Sequence, residues 1–426
     1  MSFNTSLSGL NAAQADLGVT SNNIANVSTT GFKESRAEFS DIFANSALGT
    51  SSNAIGSGAL LGQVAQQFSQ GNLEFTRNTL DLAIQGEGFF VLSSDPTSNE
   101  LLYTRAGAFG VNANGFVTNS QGQSLRSFPV NPNGTVTATS LSSTQPLRLP
   151  DTAGAPTPTS KIDLGVNVPA NGVDLDPALF DPTAPNTFNA STSVTVYDSL
   201  GESHVASFFY IKDIANPNVW DQYVNVDGNP VDVAGGTAGA GGQLYGTVSF
   251  NNVGGFVSEN PSPMTTTALG FTNGSDPTQT LSMDYANNNP TQFSSPFTVN
   301  TLRQDGFPIG RLTSVDISDV GVVRANFSNG QQTALGKIAM ARFPNNQGLQ
   351  QKGGTNWSET LDSGVALAGE AGTSSFGSIR GGALEQSNVD LTAELVNLIT
   401  AQRNFQANAK SIETANAITQ TIIQIR

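Results

Sequence analysis

The chain has 426 residues, a length for roughly two to four domains, with a net charge of −15 and an isoelectric point near 4.3. Its eighteen lysines and arginines form no run, and an acidic surface repels phosphate backbones, which argues against nucleic-acid binding. There are no cysteines, which removes disulfides, thiolate catalysis and thiolate metal sites together.

The chain begins "MSFNTSLSGL", with neither a basic segment nor an apolar one, so this is not a cleavable secretory signal. No apolar run approaches the roughly 20 residues that a membrane span requires. Residues 3–27 read as a helix in which only Asp16 is charged. Positions 3, 7, 10, 14, 17, 21 and 24 follow the four-three spacing of a coiled-coil seam, with Phe3, Leu7, Leu10, Leu17 and Ile24 supplying its apolar members. Gly31 is the expected terminator, since the left-handed conformation past a helix end is cheapest for glycine. Residues 32–70 are rich in Ser, Gly and Ala with weak periodicity, and read as an extended connector.

The texture then changes. Asn-Gly and Asp-Gly pairs recur at 114, 133, 171, 227, 273, 305 and 329, flanked by alternating runs such as "TSVTVYD", "VASFFYI" and "YGTVSF". These read as β-hairpins closed by type I′ turns. Pro, Thr and Ser concentrate at 148–161 and again at 287–297, as in linkers bounding an inserted domain. The C-terminal stretch opens with Ser387 and Asp390 at capping-box spacing. It then carries Leu391, Leu395, Leu398, Phe405 and Ile412 on a second four-three stripe, drifting to Ile418, Ile422 and Ile425. The predicted architecture is multidomain and elongated, a terminal helical coiled coil (1–30 with 385–426) carrying nested all-β domains. A connector (31–70 with 366–384) leads to an inner β-domain (71–150 with 300–365), into which an outer β-domain (160–299) is inserted.

No motif demands catalysis. His204, the single histidine, sits with Asp198 and Ser203 in one turn-like segment, "DSLGESH", without a nucleophile elbow or an oxyanion device, and reads as a polar hairpin residue. "GGTAGAGG" (235–242) lacks the Lys-Ser/Thr of a phosphate loop and reads as a flexible loop. The acidic spacing matches no calcium loop, so neither metal nor cofactor is expected. The nearly uncharged helices are the informative feature. Their remaining faces carry Asn22, Asn23, Asn26, Gln402, Asn404 and Asn408, neutral groups suited to packing against further copies of the chain rather than against water alone.

"SLSGLNAAQADLGVTSNNIANVSTTGFK" resembles the N-terminal signature of bacterial flagellar rod and hook proteins. "GNLEFTRNTLDLAIQGEGFFVL" and "YTRAGAFGVNANGFVTNSQGQSL" resemble the segments that follow it, and "GALEQSNVDLTAELVNLITAQRNFQANAKSIETANAI" the C-terminal signature. "TSVTVYDSLGESHVASFFYIKD" and the stretch 304–357 are similar to parts particular to the hook members. The matching motif positions are Asn22, Asn23, Asn26, Gly31, Leu80, Asp81, Gly86, Gly88, Phe89 and Phe90. The resemblance implies a non-enzymatic subunit of a flexible tube that joins rod to filament and transmits torque as a universal joint. It also implies an extracellular location, export through the flagellar type III apparatus, and contacts with itself and with distal rod, hook-cap and hook–filament junction proteins. A distal rod protein is an alternative. So is an extracellular β-rich enzyme or glycan-binding protein with oligomerising helical ends.

Overall fold

The computed structural model describes residues 2–42, 56–98, 100–152, 154–373 and 375–424. Part of the expected connector, 43–55, and Ile425 of the C-terminal stripe lie outside them. The described chain has two long helices and many short strands in several sheets, so the fold is multidomain and mainly β. It divides into two compact units: Met1–Pro150 with Ser314–Asn326 and Gln332–Arg426, and Asp151–Thr313 with Phe327–Gln331.

The first unit is built from both halves of the chain. Strand Gln332–Arg342 pairs antiparallel with Ser124–Phe128 and with Phe89–Ser93, aligning Lys337 with Phe128 and Met340 with Phe90. Asn356–Ser358 pairs in turn with Leu101–Thr104. These strands interleave early and late sequence, and their alternating inward residues meet in one core: Phe89, Val91, Tyr103, Phe128, Phe343 and Trp357. Tyr103 and Phe343 pack edge to face at 4.7 Å, and Phe89 and Trp357 at 5.7 Å. Two short ribbons, Leu82–Gln85 with Ser378–Gly381 and Leu73–Phe75 with Ala383–Glu385, lead from this sheet to the C-terminal helix.

Three expectations are corrected in this unit. The segment expected as an extended connector instead holds an antiparallel ribbon, Ser35–Asp41 with Ala59–Gln66. The N-terminal helix α1 runs Ser2–Ala25 and ends well before Gly31. There the Asn26 side chain donates back to the Asn22 carbonyl, doing the terminating work expected of glycine. The C-terminal helix α2 runs Leu391–Gln424, about 51 Å at 1.5 Å per residue, and Asp390 rather than Ser387 caps it, accepting from the amides of Thr392 and Ala393.

The second unit holds a seven-stranded sheet, which includes the consecutive neighbours Ala190–Tyr197 at one edge, Ser203–Lys212, Val219–Val226 and Leu244–Phe250, and a four-stranded sheet around Lys161–Asn167. Their common core includes Ile162, Leu164, Phe208, Tyr210, Trp220, Met283 and Tyr285, with the buried hydroxyls of Tyr210 and Tyr285 bonded at 2.8 Å. The other face of the seven-stranded sheet is covered by a smaller cluster of Phe180, Phe209, Ile211 and Tyr223. The chain enters this unit at Pro150–Asp151, leaves at Thr313–Ser314 and passes through it again at Phe327–Gln331; the Leu312 amide donates to the Asp151 carbonyl, so the first entry and exit adjoin. The Pro-rich zone at 287–297 is not the exit. It packs inside the unit, where the Thr291 amide donates to the Val166 carbonyl.

Of the seven expected type I′ turns, only Asp227-Gly228 has both residues at positive φ, 52° and 79°. At 114, 133, 273 and 329 only the glycine does, the arrangement of longer hairpin loops, and at 171 and 305 neither does. The segment 235–242, expected as a flexible loop, carries a short strand, Thr237–Ala238, paired with Leu244–Tyr245.

Asp221 sits opposite Ile211 in the middle of the seven-stranded sheet, buried, with its Oδ2 making no hydrogen bond. Burial, reinforced by Asp213, pushes its carboxyl up to about 7. An acid whose folded value is raised contributes fully to stability below its ordinary range and loses that contribution as pH climbs towards 7. Asp221→Asn is therefore expected to melt above the parent at pH 8, with the gap closing towards pH 4. Thermal unfolding across that range checks it, and a pH-independent gap contradicts it.

Candidate assembly interface

The two helices pair antiparallel through small and polar side chains. Ser6 Oγ and Ser411 Oγ are 2.9 Å apart, and Asn23 Nδ2 donates to Glu394 Oε2 at 3.2 Å, so numbers rise along one helix as they fall along the other. Between these contacts, a Cβ placed on Gly9 would lie 2.7 Å from Asn408 Oδ1. The approach is close because nothing larger than glycine stands there. Buried Ala13 and Thr20 continue the same seven-residue repeat from Ser6. The stripe turned to α2 is thus Ser6, Gly9, Ala13, Thr20 and Asn23, one residue away from the apolar stripe.

That offset, about 100° around a helix, decides where the predicted seam residues lie. Leu7 is exposed, and Leu10, Leu17 and Ile24 are half-buried beside the contact stripe rather than on it. On α2, Leu398, Phe405 and Ile412 are half-buried at heptad spacing with the buried Ala401, on the stripe that meets α1. Leu391 and Leu395 are not brought to it. Each is 44% exposed, with Val396 and Ile399 exposed beside them. The ribbon next to α1 adds exposed Phe39, Leu60, Leu61 and Val64. Close to these surfaces is a cavity of about 430 Å³, lined in part by Val19, Asn22, Leu61, Val64 and Leu349.

Where α1 gives way to the β-region, a buried charged junction joins five stretches of chain. Lys33 Nζ donates to Glu385 Oε1 at 2.6 Å and to the Ser69 carbonyl at 2.7 Å. Arg105 reaches Glu385 Oε2 at 3.3 Å and the Gly86 carbonyl at 2.8 Å, and the Gly71 amide also donates to Glu385. The Lys33 and Glu385 side chains are wholly buried. Burial pulls the Lys33 ammonium and the Arg105 guanidinium below their ordinary values, against the pull of Glu385. Sequence reasoning did not single out Lys33, Arg105 or Glu385. The available signal was Lys33 itself, which with Glu34 ends a stretch where only Asp16 is charged.

Of the motif residues, Gly31 and Gly86 bond directly to this junction. Asn23 accepts from the Ser35 amide at 2.9 Å and donates to its carbonyl at 2.7 Å, pinning the first ribbon strand to the helix. Gly31 adopts φ 69°, its amide donates to the Glu385 carbonyl, and a Cβ there would lie 2.4 Å from the Ala106 nitrogen. Asn22 and Asn26 bond one another at 2.8 Å on the exposed side. Asp81 accepts from Thr76 and Asn78 beside a half-buried Leu80. Gly86 and Gly88 shape the turn before Phe89, and Phe90 is fully buried against Phe109.

Paired terminal helices carrying β-units made from both halves of the chain define the rod-and-hook class of flagellar proteins. Residues 3–33 match the family model described as flagella basal body rod protein, and 380–425 the C-terminal model of the flagellar basal body rod FlgEFG proteins. Residues 83–176 match the D1 domain of the flagellar hook proteins FlgE/F/G, and 167–307 the FlaE D2 domain. The chain is 36% identical to flagellar hook protein FlgE of Escherichia coli (strain K12) over 432 residues, covering all of both chains. To its counterpart in Borreliella burgdorferi it is 31% identical, covering all of this chain and 99% of that one. The crystal structure of Helicobacter pylori flagellar hook protein FlgE2 shares the fold with a TM-score of 0.51 at 16% identity, over 74% of this chain and 100% of that one. The chain belongs to the flagellar hook protein family. Neither helix is long and apolar enough to cross a membrane among the described residues.

Removing one partner of a buried ion pair strands the others without compensation, at about 3–5 kcal/mol. Glu385→Gln is expected to destabilise the first unit by that order, because Lys33 and Arg105 both lose their counter-charge. Lys33→Met combined with Glu385→Gln should cost less than the two separate losses added. Urea unfolding followed at Trp357, in a Trp220→Phe background, measures both; strict additivity contradicts the junction's role.

Proposed function

We propose that the chain is the self-assembling subunit of a flexible hook tube that joins rod to filament and passes on motor torque as a universal joint. One observation carries the reading. The helices pair through Ser6, Gly9 and Asn23 and leave Phe3, Leu7, Leu391, Leu395, Val396 and Ile399 exposed. Each such side chain gains roughly 1.5–3 kcal/mol when fully buried, and neighbouring copies supply that burial. Leu7, Leu10, Leu17, Ile24, Leu391 and Leu395 then serve contacts between copies, while Leu398, Phe405 and Ile412 serve mainly the pair.

The division of labour follows. The helices hold the tube together, and the β-units, with surfaces rich in Ser, Thr, Asn and Gly, form layers whose hydrogen bonds exchange at small net cost as the tube bends. The helical, connector, inner and outer regions expected from the sequence act as the parts of this device. Its partners are further copies, the distal rod, hook-cap and hook–filament junction proteins, and the flagellar type III export apparatus that delivers the chain outside the cell without a cleaved signal. No catalytic step is assigned to it.

Two substitutions separate contacts between copies from contacts within one. Leu395→Asp places a charge on an exposed site, so the monomer should keep its melting behaviour while tube formation, read by sedimentation, is lost. Leu398→Asp should instead loosen the helix pair in the monomer, read as lost helical circular dichroism. Normal tubes from Leu395→Asp contradict the assembly face.

A further inference from the structure

In the second unit, the turn "DSLGESH" brings together groups that the assembly reading leaves unused. Asp198 closes the turn between strands Ala190–Tyr197 and Ser203–Lys212, and its Oδ1 accepts from the amides of Leu200 and Glu202. Its fully buried Oδ2 is left facing His204 Nε2 at 3.5 Å. Asn273 donates to both Asp198 Oδ2 and Glu202 Oε2, so the two carboxylates converge. Oxygen or nitrogen atoms of Asp198, Glu202 and His204 all lie within 4.8 Å of one another.

The state of the imidazole makes this arrangement informative. His204 Nδ1 is 2.7 Å from Asp227 Oδ2, and an ionised carboxylate only accepts, so Nδ1 carries the proton. That leaves Nε2, on a ring nine-tenths buried, with no hydrogen-bond partner and 3.5 Å from a carboxylate oxygen. That gap is longer than a charge-assisted N–H···O bond, and it leaves room for a cation between the two atoms. Around a tetrahedral zinc ion with ligands at about 2.0–2.2 Å, neighbouring ligand atoms lie roughly 3.4 Å apart, close to the 3.5 Å between His204 and Asp198. Asp227 supplies the carboxylate that metal-ligating histidines commonly bond through their other nitrogen. Phe271 stacks on the ring at 3.8 Å and shields one of its faces.

We infer that His204 Nε2, Asp198 Oδ2 and the Glu202 carboxylate form a binding site for a divalent first-row transition cation of the zinc type. An imidazole nitrogen in the ligand set favours such an ion over magnesium or calcium. Three carboxylates around one imidazole draw a dication, and the bound ion ties the 198–204 turn, the Asp227 turn and the Asn273 loop into one staple.

The chain has a single histidine, so one imidazole resonance reports the site. Full-length monomer, labelled with ¹³C at histidine Cε1 and stripped with chelator, is titrated with Zn²⁺. The resonance should move to saturation at one equivalent and then cease to respond to pH, while tenfold higher Mg²⁺ or Ca²⁺ leaves it in place. Calorimetry should show the one-equivalent event lost in His204→Gln. It should weaken by about tenfold in Asp227→Asn, the lower end of what losing such an orienting partner costs. A resonance unmoved by equimolar Zn²⁺, or moved only at millimolar concentration, overturns the site, as does equal binding by His204→Gln. Should either variant misfold by circular dichroism, the titration of the unaltered chain decides alone.

Discussion

Two helices that meet through Ser6, Gly9, Ala13 and Asn23 come close but bury little apolar surface. The leucines that share their period stand about one residue round the cylinder and are left partly or wholly in water. Hydrogen bonds such as that between Ser6 and Ser411 are worth only about a kilocalorie net, so the pair is held only marginally against chain entropy. In the proposed assembly, further copies of the chain make up that shortfall.

The charged junction is the counterpart of this weakness. Lys33, Arg105 and Glu385 tie the exit of α1, the Gly71 and Gly86 turns and the approach to α2 into one buried node. An ion pair of this kind adds little net stability over an apolar replacement, but it is directional and intolerant of misplacement. It sets where the helices leave the β-region.

Both helices, the β-texture and the family were legible in the sequence, because heptad spacing, alternation and turn residues are local signals. The face used in the helix pair was not. Hydrophobic periodicity selects Leu7, Leu10 and Leu17, whereas close approach is governed by small residues of the same period, Ser6, Gly9 and Ala13, which a hydropathy reading passes over. Turn type failed for a similar reason: Asn-Gly signals a reversal, but loop length decides whether the asparagine also takes positive φ, and only Asp227 does. The grouping of Asp198, Glu202 and His204 was visible as a motif, yet its meaning rests on Asp227 and Asn273, brought from 23 and 71 or more residues away by sheet register.

The central claim is that the exposed apolar stripes of α1 and α2 are completed by neighbouring copies. Amide hydrogen exchange measured on monomer and on assembled tubes tests it most directly. Amides of both helices should exchange rapidly in the monomer and be protected in the tube by several orders of magnitude, while those of Phe89–Ser93 and Ser203–Lys212 stay protected in both. Helices equally protected in monomer and tube would contradict the account.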